Sequence, residues 1–100
     1  MANPTRVEVP QGAWTEVAGN VSFGALNRLS TNYDFYQTYR ASGSAAPDPV
    51  VGRQIPSEAV PLFESGSQDI IRSIDPIDIY VLCFSKDGKV TAPGEIRVDL

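Results

Sequence analysis

Polar and apolar positions alternate in steps of two along much of this chain, and a 3.6-residue helical stripe is nearly absent. Arg6-Val7-Glu8-Val9 alternates as a half-buried strand should, and Pro10-Gln11-Gly12 punctuates it. Residues 13–18, with Trp14 and Val17, predict a second strand that ends at the turn dipeptide Gly19-Asn20. Residues 21–29 predict a third, in which Gly24 marks a bulge or a close backbone approach. Residues 33–41 form the aromatic centre, with Tyr33, Phe35, Gln37 and Tyr39 on one face and Tyr36, Thr38 and Arg40 on the other.

Ser42-Gly43-Ser44-Ala45-Ala46-Pro47-Asp48-Pro49 is too rich in Pro, Gly and Ser to hold a ladder, so residues 42–57 read as an exposed loop or arm. Within it, residues 50–55 predict a short strand stopped by Pro56. Pro61 demotes residues 59–64 to an edge strand or extended loop, because proline donates no ladder hydrogen bond. Residues 68–74 predict a strand after a Gly-Ser turn, and Asp75-Pro76 opens the next one, residues 77–84. That strand carries the strongest signal. Its faces, Ile77/Ile79/Val81/Cys83 and Asp78/Tyr80/Leu82/Phe84, are both largely apolar, as in a central strand covered on each side. Ser85-Lys86-Asp87-Gly88-Lys89 predicts a hairpin turn, and residues 95–100 close the chain with Ile96, Val98 and Leu100 inward. About seven to nine short strands with turns every 8–12 residues predict a single all-β domain over 1–100: a small β-sandwich, jelly-roll or immunoglobulin-like, with a small β-barrel as the alternative.

One hundred residues bury only about 60–65% of the surface that the unfolded chain exposes, so stability is modest without help. Cys83 is the sole cysteine and histidine is absent, which removes an internal disulfide and a zinc site as sources of that help. Oligomerisation or docking is the remaining route. A net charge of −4, with the eight Lys and Arg scattered singly, argues against nucleic acid as a partner. The opening residues contain no apolar signal-peptide core, and the longest apolar run, around residues 79–84, is far short of a membrane helix. The expectation is a protein made in a reducing cytosol, with no membrane partner.

Candidate chemistry is thin. Nucleophilic catalysis usually pairs a nucleophile with a histidine base, and Cys83 lies in the most apolar strand, where a thiol packs as a small hydrophobe. Two carboxylate pairs, Asp75 with Asp78 and Glu58 with Glu64, offer candidate acid/base groups. Asp75 is better read as the turn residue before Pro76, and Asp78 as a strand-start residue at the sheet rim. The 85–89 turn offers calcium one carboxylate between two lysines, which is the wrong electrostatics. Asn20-Val21-Ser22 matches a glycosylation acceptor, but only by accident in a chain without a signal peptide. Trp14, Phe35 and Tyr39 are assigned to the core, leaving Tyr33 and Tyr36 as surface contacts. No catalytic, cofactor-binding or metal-ligating residue is assigned, and no cofactor is expected. The 42–57 loop, with Gly43, Ala45, Ala46, Gly52, Pro47, Pro49 and Pro56, suits either a contact arm or an ordinary loop tip, as does Ala2-Asn3-Pro4-Thr5.

The opening Ala2-Asn3-Pro4-Thr5-Arg6-Val7-Glu8-Val9-Pro10, followed by Trp14-Thr15-Glu16-Val17-Ala18, resembles small virion proteins of tailed bacteriophages. So does the ending: a Ser/Asp/Pro stretch, then Ile77-Asp78-Ile79-Tyr80-Val81-Leu82-Cys83, a Gly-containing hairpin and Glu95-Ile96-Arg97-Val98. The likeness spans most of the chain except residues 42–57 and 59–64. It implies a β-sandwich without enzymatic activity, located in the virion. There it would act as a capsid decoration (cement) protein on the major capsid protein or other virion subunits, as a dimer or trimer. A carbohydrate- or receptor-binding module of a tail or fibre is one alternative, and a small head–tail connector, tail or baseplate component is another.

Overall fold

The computed structural model describes residues 5–62 and 68–100. The described residues contain no helix and six strands: β1 (Thr5–Val9), β2 (Thr15–Arg28), β3 (Tyr33–Ala41), β4 (Val60–Pro61), β5 (Asp69–Ser85) and β6 (Gly94–Asp99). They form one open sheet in the order β1-β6-β2-β5-β3-β4, every pair antiparallel. The all-β class is as the alternation predicts. The strand count is lower because two expected breaks are not breaks and residues 50–55 form no strand.

Gly19-Asn20 does not reverse the chain. The β2–β5 register slips between Ala18↔Ile79 and Val21↔Ile77, so the dipeptide is a bulge inside one 14-residue strand. Asn20 takes φ 55°, and its N–H donates to Asp78 Oδ1 at 2.9 Å. Asp75-Pro76 likewise fails to separate two strands. Phe23↔Arg72 is followed by Val21↔Ile77, so residues 73–76 bulge out of the 17-residue β5, where a proline without an N–H is tolerated. Residues 50–55 form no strand, since Gly52 sits at φ 58° between segments whose prolines lack donors. The expected 59–64 edge strand is the two-residue β4 at the sheet edge; residues 63 and 64 and the Gly66-Ser67 turn lie outside the described residues, as does the 2–4 part of the N-terminal arm.

At about 3.3 Å per residue a straight β5 would run roughly 56 Å, yet the longest dimension of the molecule is 39 Å. The sheet therefore folds over, with its corner at the bulges. β1, β6 and the end of β2 form one layer; β3, the second half of β5 and the start of β2 form the other. The contacts between layers prove the fold-over. Cys83 Sγ donates to Val9 O at 3.2 Å and Tyr33 Oη to Ala92 O at 2.9 Å. A methyl on Gly94 of β6 would lie 2.9 Å from Phe35 Cζ of β3, although three strand spacings separate these strands within the sheet. Between the layers sit Val9, Leu26, Phe35, Ile79, Val81, Cys83, Ile96 and Val98. Leu100, expected inward, lies past the end of β6 and is half exposed.

The 85–89 segment turns, with Gly88 at φ 72° and Asp87 Oδ1 accepting from Lys89 N at 2.9 Å. It is not a hairpin, because β2 lies between β5 and β6. The chain instead crosses from one layer to the other, pinned by Gln11, whose Nε2 donates to Val90 O (2.7 Å) and Ala92 O (2.9 Å) while its Oε1 accepts from Ser85 N (2.7 Å).

Candidate interaction surface

Both faces of residues 77–84 are buried, as their composition predicts. One face looks between the layers. Over the other, the 42–59 segment folds back. Ser42 N donates to Pro76 O at 3.0 Å, Pro47 is buried, and Arg53 donates to Ser85 O while lying 4.9 Å from the Phe84 ring centroid. Arg40 closes the far end, with its guanidinium 2.9 Å from both carboxylate oxygens of Glu58. The segment is thus tied to the sheet on its inner side and exposed on its outer side, rather than a free arm.

The chemical candidates disperse. Cys83 is fully buried, and desolvation raises its thiol pKa despite an opposing backbone hydrogen bond from Gly94. Asp78 is not at a rim. It is buried in mid-strand and accepts from Asn20 N (2.9 Å) and Gly43 N (3.3 Å), tying the β2 bulge to the loop entrance. Asp75 is exposed on the β5 bulge, Glu58 is taken by Arg40, and Glu64 lies outside the described residues. Tyr80, beside Asp78, has its hydroxyl pKa raised by burial and by the Glu16 and Asp78 carboxylates, with Arg40 opposing. Among the described residues no three His, Cys, Asp or Glu side chains come together as metal ligands.

The aromatic assignments divide. Phe35 is buried as expected, whereas Tyr39 is 51% exposed, although its cross-strand neighbour Ile79 is fully buried. Tyr33, assigned to the surface, is buried by its hydrogen bond across the layers and by its contact with Phe35, 6.1 Å between centroids. Tyr36 is half-buried and lines a cleft of about 210 Å³ with Arg28, Asp34, Phe35, Pro61 and Leu62. Trp14 is only half-buried. It lines a second cleft of about 280 Å³ with Gly12, Ala13, Ala46, Pro47, Pro49 and Val50, a lining without carboxylate, amide or hydroxyl side chains to orient a sugar.

What the sequence reading left unassigned is an apolar stripe at the corner. Ile70, Arg72 and Ile74 are spaced by two on β5, and Phe23 pairs with Arg72 from β2, its ring 5.7 Å from the guanidinium carbon. Ile74 is 99% exposed, Ile70 52% and Phe23 37%. The signal was present as Ile70, Ile71 and Ile74 before an unpairable Asp75-Pro76: one face can enter the core, and the other must then point outward. Comparison with protein-family models, with curated proteins and with solved structures finds no match to this chain.

Proposed function

We propose that this domain is a non-enzymatic structural protein of a virus particle, a capsid decoration protein that reinforces an assembled shell through added interface. The observation that carries the reading is the corner stripe. A fully exposed Ile74 flanked by Ile70 and Phe23 contributes nothing to this fold and gains about 1.5–3 kcal/mol per large side chain when a partner covers it. The resemblance of both ends of the chain to small phage virion proteins supplies the kind of partner, a lattice of major capsid protein. The layers, tied to one another and to the 42–59 segment, hold the stripe on strands rather than on a loop, which limits the entropy lost on docking.

Purified protein mixed with shells that lack it should co-sediment and saturate near one copy per shell subunit. Ile74→Asp should abolish that binding and leave the unfolding midpoint unchanged, because the side chain has no intramolecular contact to lose. Saturation at a few copies per particle would move the assignment to a connector, tail or baseplate part. Failure to bind shells, or equal binding by the Ile74→Asp protein, would overturn the decoration role.

A further inference from the structure

Of the strand edges left open among the described residues, three are interrupted or very short, whereas the Thr38–Ala41 edge of β3, beyond the two-residue β4, and the edge of β1 are not. The Thr15–Ser22 stretch of β2 is broken by two bulges and by the left-handed Asn20. The 69–72 stretch of β5 runs directly into its bulge and Pro76. β4 is two residues long and ends in Pro61. Bulges, prolines and shortness are the devices by which sheet proteins refuse further strands. β1 has none of them inside it. It pairs with β6 through five consecutive residues with no shift, and among the described residues its other edge carries no strand as far as Glu8; at Val9 the edge is closed, with Val9 fully buried and its carbonyl accepting from Cys83 Sγ.

Its side chains are also unsettled where it is already paired. On the outer face Arg6 stands opposite Arg97 and Glu8 opposite Glu95, so each direct cross-strand pair is of like charge. The diagonal Arg6–Glu95 contact, 3.4 Å, offsets one of these, while Glu8 makes no ion pair among the described residues. A strand that set Arg against Glu8 and Glu against Arg6 would complete the face.

From this geometry we infer that β1 is a dimerisation edge whose occupant is the β1 of a second copy of this chain, antiparallel and centred on Val7. In that register Arg6 of each copy faces Glu8 of the other, giving two equivalent opposite-charge pairs, as the two-fold symmetry of an isologous contact requires. The half-buried Val7, which packs against the core, meets its own copy on the inner face, so the contact is centred on residues 6–8. The sequence frames the same centre. Pro4 and Pro10 lie three residues to either side of Val7, so a slipped register would bring a residue without an N–H into the ladder. The two sheets would join into one of twelve strands, built from the six of each copy.

The test uses the purified full chain without shells, so its result is separate from that of shell binding. Sedimentation equilibrium should show a monomer–dimer equilibrium. Arg6→Glu and Glu8→Arg should each weaken it about tenfold or more, since each turns two attractive pairs into two repulsive ones. The sharper outcome concerns mixing. Arg6→Glu protein carries two acidic residues at these positions and Glu8→Arg protein two basic ones, so an equimolar mixture should dimerise at concentrations where each alone is monomeric. The doubly reversed R6E/E8R chain should dimerise like the original. Circular dichroism checks that each variant is folded. If a variant is not, the concentration dependence of wild-type amide signals, confined to residues 5–9, reads the same contact. A wild-type chain that stays monomeric, a trimer, unchanged dimerisation in the single reversals, or a mixture that remains monomeric would each overturn the pairing.

Discussion

Gly94 and Phe35 provide a quantitative test of the folded-over sheet. Gly94 lies in β6 and Phe35 in β3, with β2 and β5 between them, which in a flat sheet means about 14 Å of separation. In the two-layered arrangement a methyl at position 94 would stand 2.9 Å from Phe35 Cζ, 3.1 Å from its Cε1 and 3.0 Å from Cys83 Sγ. The first is closer than a Cβ tolerates, and the other two require their neighbours to give way by a few tenths of an ångström. Phe35 and Cys83 are both fully buried, so neither can swing aside into solvent. Overpacking of this kind costs about 1–3 kcal/mol. Alanine returns about 0.4–1 kcal/mol of that by restricting the unfolded chain, because Gly94 has no positive φ to lose. Gly94→Ala should therefore destabilise the domain by about 0.5–2 kcal/mol.

Phe35→Leu removes Cε1 and Cζ, the two ring atoms in the way, at a cost of about 1–2 kcal/mol as a part of the full Phe truncation penalty. In the double variant the new methyl occupies space the ring has vacated. The combined loss should then fall short of the sum of the single losses by about 1 kcal/mol. Urea unfolding of the four proteins at one fixed low concentration measures this coupling, and a constant m-value confirms that compactness has not changed. Additivity within about 0.3–0.5 kcal/mol is the behaviour of distant sites. That result, or a Gly94→Ala protein as stable as the original, would refute the packing of β6 over β3.

Two further predictions concern buried polar groups. Asp78→Ala should cost about 2–3 kcal/mol by leaving the Asn20 and Gly43 amides without their acceptor, with faster amide exchange at those two positions; a loss below about 0.5 kcal/mol would remove Asp78 as the tie between bulge and loop. Cys83 should make stability fall at alkaline pH. Its folded-state pKa is raised by burial, so its contribution is fully present below the unfolded thiol's pKa of about 8.5 and is lost as pH rises through the folded value, because the unfolded chain ionises first. Unfolding midpoints between about pH 7 and pH 9.5 should fall more steeply for the original chain than for Cys83→Ala, and parallel curves would contradict the assignment.

Residues 33–41 and 77–84 were legible because their pattern is set by burial that any sheet would impose: alternation where one face is wet, continuous apolar sequence where neither is. What the sequence concealed lies at its irregularities. Gly19-Asn20 and Asp75-Pro76 have the chemistry of turns, and a local reading cannot distinguish a turn that reverses the chain from a bulge that bends it. The difference is made by partners distant in sequence. Asn20 is held in mid-strand by a carboxylate 58 positions away, and the 73–76 bulge is defined only by its register against β2. The same blindness misplaced the aromatics, since Tyr33 and Tyr39 share a face and only the layer above decides which of them is covered.

The two bulges also explain why the exposed apolar stripe escaped notice. They put the corner of the sheet at residues 73–76, and a corner has no opposing layer on its convex side. Ile74 is exposed for that reason, just as Ile79, five residues on and past the bend, is wholly buried between the layers. A straight β5 would have carried both isoleucines on one flat sheet, with no fold-over to bury Phe35 against Gly94. The bend that creates the core of this small domain is therefore the same feature that leaves an apolar stripe outside it.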